Sequence, residues 1–189
     1  NNRVPWSGHM ASYAIRDIYQ KIKKSSLTIV FVNTRAQAEL VFNKLWQEND
    51  NNLRIAIHHG SLEKEIRIKV ESLMASGKID CVVATSSLDL GIDWGDVDLV
   101  VQIGSPKGIS RFLQRIGRSN HRFDEPSNAL LVPSNRFEYL ECLSAINSIK
   151  NKLLDEIKEK QGSLDVLAKH ILGVACSEPF HVDELYNQV

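Results

Sequence analysis

The nine residues Gln114-Arg115-Ile116-Gly117-Arg118-Ser119-Asn120-His121-Arg122 hold three arginines and no acid. Lys107 and Arg111 extend the same sign upstream, so residues 107–122 carry five fixed positive charges with no Asp or Glu among them. The chain as a whole is neutral, with 23 Lys+Arg against 23 Asp+Glu. The positive field is therefore local. A guanidinium stays charged at any working pH and meets two phosphate oxygens with parallel N–H bonds. Such a cluster suits the charge that develops on a phosphoryl group in transfer. The competing reading of a basic run is a solvated helix face.

A second constellation is Thr85-Ser86-Ser87-Leu88-Asp89-Leu90-Gly91-Ile92-Asp93-Trp94-Gly95-Asp96-Val97-Asp98. Its hydroxyls and backbone N–H groups can hold a nucleic-acid phosphate. Gly91 lets backbone approach a ligand closely, and Asp93 can accept from a ribose hydroxyl. The bland alternative is a turn rich in helix caps. His58, His59 and His121 lack the further ligands of a zinc site, so no metal site is expected. Trp6, Trp46 and Trp94 can stack on bases. Trp94 is best placed for that, in the motif loop, whereas Trp46 reads as helix packing.

These residues need a scaffold that brings them together. Residues 27–32, 80–85, 97–103 and 129–132 are short apolar runs of the kind buried on both faces of a sheet, and residues 53–57 make another strand. Helical patterns separate most of them. One spans residues 35–48, capped by Thr34, with Ala38, Val41, Phe42 and Leu45 on one face. A second spans residues 62–75, with Ile66, Val70 and Leu73 as its stripe and Ser76-Gly77 as its stop. Residues 109–116 and 136–149 complete the series, with a leading helix over residues 11–24. The alternation predicts an α/β fold, a parallel sheet with helices on both faces. Ligands in such folds gather at the carboxyl ends of strands. Asn33-Thr34-Arg35, Gly60-Ser61 and Thr85-Ser86 stand at three such ends.

With 189 residues, 43% of them hydrophobic, the chain can bury one domain core and part of a second. The expected division is a linker and helix over residues 1–24, the α/β domain over 25–150, a charged linker over 151–162, and a further helical domain opening over 163–189. The start at Asn1-Asn2-Arg3 and the end at Val189 suggest part of a longer chain. Three scattered cysteines, Cys81, Cys142 and Cys176, read as reduced thiols of a cytoplasmic protein. No apolar run is long enough to span a bilayer, so no membrane partner is expected.

Four ordered motifs, Val32-Asn33-Thr34-Arg35, His59-Gly60-Ser61-Leu62, Thr85 through Asp93 and Gln114 through Arg122, resemble those of the second RecA-like domain of superfamily 2 helicases of the DEAD/DEAH type. The last two resemble in particular the Lhr (large helicase-related) family. Pro5-Trp6-Ser7-Gly8-His9-Met10 and residues 128–141 are similar to its bacterial branch associated with a DNA ligase. The resemblance covers essentially the whole chain, and a winged-helix domain follows the RecA-like domain in that family.

This resemblance implies a set of roles. Arg118 matches the arginine finger that reaches the ATP γ-phosphate. Gln114 and Arg115 match residues that help bind nucleotide and link the two halves of the motor, so Arg115 is expected at the catalytic site beside Arg118. Gly91 and Asp93 match the motif that touches the nucleotide and couples it to nucleic acid. Thr34, Arg35, Gly60, Ser61, Thr85 and Ser86 match positions near the phosphates of the tracking strand. Many such helicases place a second arginine three residues after the finger. Here that position is His121, with Arg122 next, and either can meet the nucleotide. Asn120 stands where a glycine is frequent.

No Gly-x-x-x-x-Gly-Lys-Ser/Thr occurs. The phosphate cradle and most of the site for ATP with Mg2+ are therefore expected in an upstream RecA-like domain. Single-stranded or partly duplex DNA is the expected partner, with a DNA ligase or repair nuclease implied by the ligase-associated branch and DNA repair as the setting. Two other readings compete: an ATP-independent module that binds phosphate backbone, and a helicase acting on RNA. A dinucleotide enzyme would need a glycine-rich turn after the first strand, and Asn33-Thr34-Arg35-Ala36 is not one.

Overall fold

A computed structural model describes residues 4–8, 10–89, 97–117, 128–154 and 162–187. The chain divides into two units, Asn1–Asp155 and Glu156–Val189. The division falls within the charged stretch.

The first unit is built on five parallel strands: β1 (Thr28–Phe31), β2 (Ile55–His58), β3 (Cys81–Ala84), β4 (Leu99–Ile103) and β5 (Ala129–Val132), in the order β2-β3-β1-β4-β5. This is a RecA-like α/β sheet. Its central strands are buried along their whole length, which is why they read as unbroken apolar runs rather than alternating ones. Successive side chains point to opposite faces, and the two faces take different cores. Val30, Val32, Cys81, Val83, Val101 and Ile103 pack with α1 (Ile15–Ile22) and α2 (Arg35–Gln47). Ile29, Phe31, Val82, Ala84 and Val100 pack with Val70 and Met74 of α3 (Lys64–Ala75).

The expected helix faces hold with one correction. In α2, Ala38, Val41 and Leu45 are buried and Phe42 packs on them. In α3 the buried pair is Val70 and Met74, an i, i+4 spacing, while Ile66 is 44% exposed. The helix begins at Lys64, two residues later than its pattern suggested, and the stripe is shorter by a turn. The leading helix is also shorter: a 3-10 turn, Ser12–Ala14, precedes α1.

Two further helices complete the unit, α4 (Ile109–Ile116) and α5 (Arg136–Lys150). Asn135 caps α5, its Oδ1 accepting from the N–H groups of Phe137 and Glu138, both at 3.0 Å. Glu138 in turn accepts from Ser134 N–H at 2.8 Å. This reciprocal cap satisfies amides that the helix start leaves open. Residues 4–8 lie against the same helix start. Arg136 N–H donates to the Pro5 carbonyl, the Asn135 amide donates to that of Gly8, and the Arg136 guanidinium stands 4.1 Å from the Trp6 ring.

The second unit contains α6 (Leu164–Ser177) and α7 (Val182–Tyr186). Leu167, Ile171, Phe180, Val182, Leu185 and Tyr186 line a cavity of about 550 Å³ within it.

Candidate functional site

Parallel pairing puts the strand ends in register. His58, Ala84, Phe31 and Gln102 form one row across β2, β3, β1 and β4. The loops that leave β2, β3 and β1 therefore start side by side, with neighbouring strands roughly 4.8 Å apart. Those loops carry Gly60 and Ser61, Thr85 and Ser86, and Thr34 and Arg35 respectively. All six expected phosphate contacts thus lie along one edge of the sheet. Thr85 is half-buried and the other five are exposed.

The Thr34 hydroxyl caps α2 by accepting from Gln37 N–H at 3.2 Å. Its own hydrogen is left to donate elsewhere. Arg35 pairs with Glu39 at 2.8 Å, one turn along α2, in an exposed ion pair. The Arg35 guanidinium beside it lowers the Glu39 carboxyl below its ordinary range. Under the neighbouring loops, His58 bridges Ser87 Oγ, 2.7 Å from Nδ1, and Glu71 Oε1, 3.1 Å from Nε2. Burial lowers the His58 pKa, against the pull of Glu71. Ser87 Oγ donates to the His58 carbonyl at 3.0 Å, which ties the end of β2 to the turn after β3.

Next to β1 on its other side, β4 ends at Ile103, Gly104 comes next, and α4 follows. Gly104 has φ +82°, and a Cβ there would stand 2.9 Å from Asn33 Nδ2. A side chain there would be strained by that φ and would press on the Asn33 amide, which donates to the Ser105 carbonyl at 2.9 Å. This bond fixes the end of β1, one residue before Thr34, to the end of β4.

Helix α4 carries Gln114 and Arg115, the first residues of the arginine run. Gln114 is exposed. Arg115 is 3% exposed. Its Nε donates to Asp89 Oδ1 at 2.7 Å and Nη2 to Asp89 Oδ2 at 3.2 Å, while Nη1 donates to Gln102 Oε1. The guanidinium carbon lies 4.5 Å from the centre of the Phe31 ring. In this structure the Arg115 fork is bonded within the domain, whereas it was expected at the nucleotide beside Arg118. Each nitrogen of its fork makes one hydrogen bond inside the domain, and its charge is balanced there by Asp89. Arg118, His121, Arg122, Gly91, Asp93 and Trp94 lie outside the described residues.

Sequence reasoning missed Asp89, Gln102, Asn33 and Gly104 as members of this site. Asp89 was legible as one acid among several in its loop. Its signal was the proximity of an acid-rich strand end to a basic run that had no acid of its own. Trp46, 57% exposed, stacks on Phe42 at 6.0 Å between ring centres, consistent with helix packing. All three cysteines are free, and burial pushes Cys81 far up and Cys142 up to about 11, so both are thiols and not thiolates.

The sequence of residues 12–123 matches the helicase conserved C-terminal domain. An ATP-dependent helicase Lhr-Core protein 2 from Thermococcus barophilus is 41% identical over 169 residues, which cover 89% of this chain and 20% of the relative. An Lhr helicase/probable uracil glycosylase from Mycolicibacterium smegmatis is 40% identical over 132 residues, covering 70% of this chain and 9% of the relative. Among solved structures, Mycobacterium smegmatis helicase Lhr bound to ssDNA and AMP-PNP superposes with a TM-score of 0.84 at 32% identity, covering 97% of this chain and 26% of that one. The chain thus spans a fifth or less of the length of these curated relatives.

Proposed function

Because the chain belongs to the helicase conserved C-terminal domain family, in a helicase of the Lhr type, we propose that it is the second motor domain of an ATP-driven DNA translocase. The observation that carries this reading is the placement of six small, hydroxyl-bearing or basic residues at the ends of three adjacent strands, with Gln114 and Arg115, the first residues of the arginine run, on the helix that follows β4. A row of such groups grips phosphates without reading bases. DNA rather than RNA is supported by the similar Lhr structure, which is bound to ssDNA.

The nucleotide would sit between this domain and a preceding RecA-like domain that holds the phosphates and Mg2+. The residues this chain would bring are exposed Gln114 and, beyond α4, Arg118 as the finger, with His121 or Arg122 beside it. Gly91 and Asp93 would complete the nucleotide-facing set. When both halves grip one strand of DNA, closing and opening of the cleft moves them along it. On this reading the isolated chain hydrolyses nothing. Placement in the ligase-associated bacterial branch, with DNA repair as its setting and a ligase or repair nuclease as partner, belongs to the same proposal and is supported by residues 5–10 and 128–141.

The test is ATP hydrolysis by the full-length parent, with and without single-stranded DNA. Arg118→Ala is expected to lower DNA-stimulated turnover by roughly 10³-fold or more while ATP still binds. Unchanged turnover in that variant would make the arginine run a phosphate-backbone binding device. Stimulation by RNA and not by DNA would reverse the substrate assignment.

A further inference from the structure

We propose that Asp89 is a positioning residue, whose buried pair with Arg115 makes the DNA-gripping strand end and the ATP-facing helix move as one piece. The inference rests on the motor reading above and adds a residue and a mechanism to it.

Asp89 follows the 3-10 turn Ser86–Leu88 that leaves β3, and its N–H donates to the Ser86 carbonyl at 3.1 Å. Ser86 is one of the exposed hydroxyl residues of the phosphate-facing row. The Asp89 carboxylate, 8% exposed, takes both Nε and Nη2 of Arg115, and Arg111 Nε stands 3.5 Å from the same carboxylate. One acid therefore holds two successive turns of α4, at positions i and i+4. Arg115 lies three residues before Arg118 on the chain.

The guanidinium is also fixed from its other sides. Gln102 of β4 accepts from Nη1, and the Phe31 ring of β1 lies against its face. It thus touches the ends of three neighbouring strands, β3 through Asp89, β1 through Phe31 and β4 through Gln102. A bidentate carboxylate–guanidinium pair is strongly directional, and burial removes the water that would let it slip. A shift of the Ser86 loop on binding DNA would therefore be carried into α4 rather than absorbed between them.

Structural and coupling roles separate in a variant that removes the pair without leaving a lone buried charge. Replacing both members of a buried ion pair by apolar residues of similar volume is often neutral for stability. The full-length parent carrying Asp89→Leu with Arg115→Met is the test, with thermal melting, the Kd for single-stranded DNA, the KM for ATP and kcat at saturating DNA as readouts. The expected result is a wild-type melting profile, little change in Kd and KM, and a fall in DNA-stimulated kcat of about 10-fold or more, within the usual range of coupling between sites. Wild-type kcat in the folded double variant would overturn the proposal, as would a loss carried entirely by KM or Kd, which would make the pair part of a binding site. If the double variant does not melt cooperatively, Arg115→Lys takes its place, since it keeps the charge but cannot span Asp89 and Gln102 together. It must then show the same selective loss of kcat. A wild-type parent without DNA-stimulated hydrolysis fails at the earlier step, and overturns the motor reading together with this one.

Discussion

At the amino end of the sheet, Asp80 accepts from Arg54, with Nη2 and Oδ1 2.6 Å apart. At the carboxyl end, Asp89 accepts from Arg115 at 2.7 Å. The two pairs have the same chemistry and nearly the same geometry. Their side chains differ in exposure, 55% and 20% for Arg54 and Asp80 against 4% and 8% for Arg115 and Asp89. A glycine with positive φ lies at each end too. Gly77, at φ +63°, has nothing within 4 Å of a Cβ position, whereas Gly104, at φ +82°, has Asn33 Nδ2 at 2.9 Å. The amino end is polar because strands begin and turns close there. The carboxyl end is polar and also buried beneath its exposed loops, and that layer lies under the residues proposed to meet phosphate.

The largest effect expected from this contrast is at Asp89. Asp89→Ala leaves the Arg115 charge buried without its partner, which should cost about 3–5 kcal/mol of stability. Urea unfolding of the domain measures it. A cost no larger than that of Asp80→Ala would mean that Arg115 finds water, and the distinction between the two ends would collapse.

The glycines give a smaller and matched comparison. Gly104→Ala adds a contact with Asn33 to the strain of a positive φ, for a total on the order of 1–3 kcal/mol. Gly77→Ala carries the conformational term alone, about 1 kcal/mol. The two also separate functionally. Displacing the Asn33 amide from the Ser105 carbonyl disturbs the residue before Thr34, so Gly104→Ala should weaken binding of single-stranded DNA by the parent, whereas Gly77→Ala should leave it unchanged. Equal effects of the two on DNA binding would remove Asn33 from the site.

These pairs also show what the sequence made legible. The parallel sheet followed from apolar runs such as residues 27–32 and 80–85, which have no alternation because both faces of their strands are buried. Arg35–Gln47 followed from its Thr34 cap and its 3.6-residue stripe. The exposed members of the site followed from their position after those runs. The buried layer did not, because its partners are distant in sequence: Asp89 meets Arg115 across 26 residues, and Asn33 meets Ser105 across 72. Strand order decides those meetings, and a single sequence read for periodicity does not contain strand order. That is why Arg115, legible as one more arginine in a basic run, turned out to be held inside the domain.

His58 sharpens the comparison through pH. Its folded pKa lies below the ordinary value near 6.5, chiefly because the ring is buried. Between those two values the unfolded chain binds a proton that the folded chain does not, so stability falls as pH drops below about 6.5 and is fully present above it. Unfolding curves at pH 7.5 and 5.5 should show this loss, and His58→Gln should reduce it. An unchanged pH dependence in the variant would assign the titration to another group.

The smallest effect is expected where the comparison began, at the exposed pair. Arg54 holds the Asp80 carboxyl below its ordinary pKa of 3.8, so whatever stability the pair gives is present above that value and lost as the pH falls through the folded pKa. Both groups meet water, and exposed pairs gain little because Coulomb attraction is weak there and two long side chains must be held still. Asp80→Asn at neutral pH should lower the melting midpoint slightly, and the difference from wild type should shrink further at about 1 M salt, where the Debye length is about 3 Å. The buried pair at the other end should be nearly indifferent to the same salt. A destabilisation by Asp80→Asn that persists undiminished in high salt would locate the role of Asp80 in its hydrogen bond to the Arg54 amide, 2.7 Å away, and not in its charge.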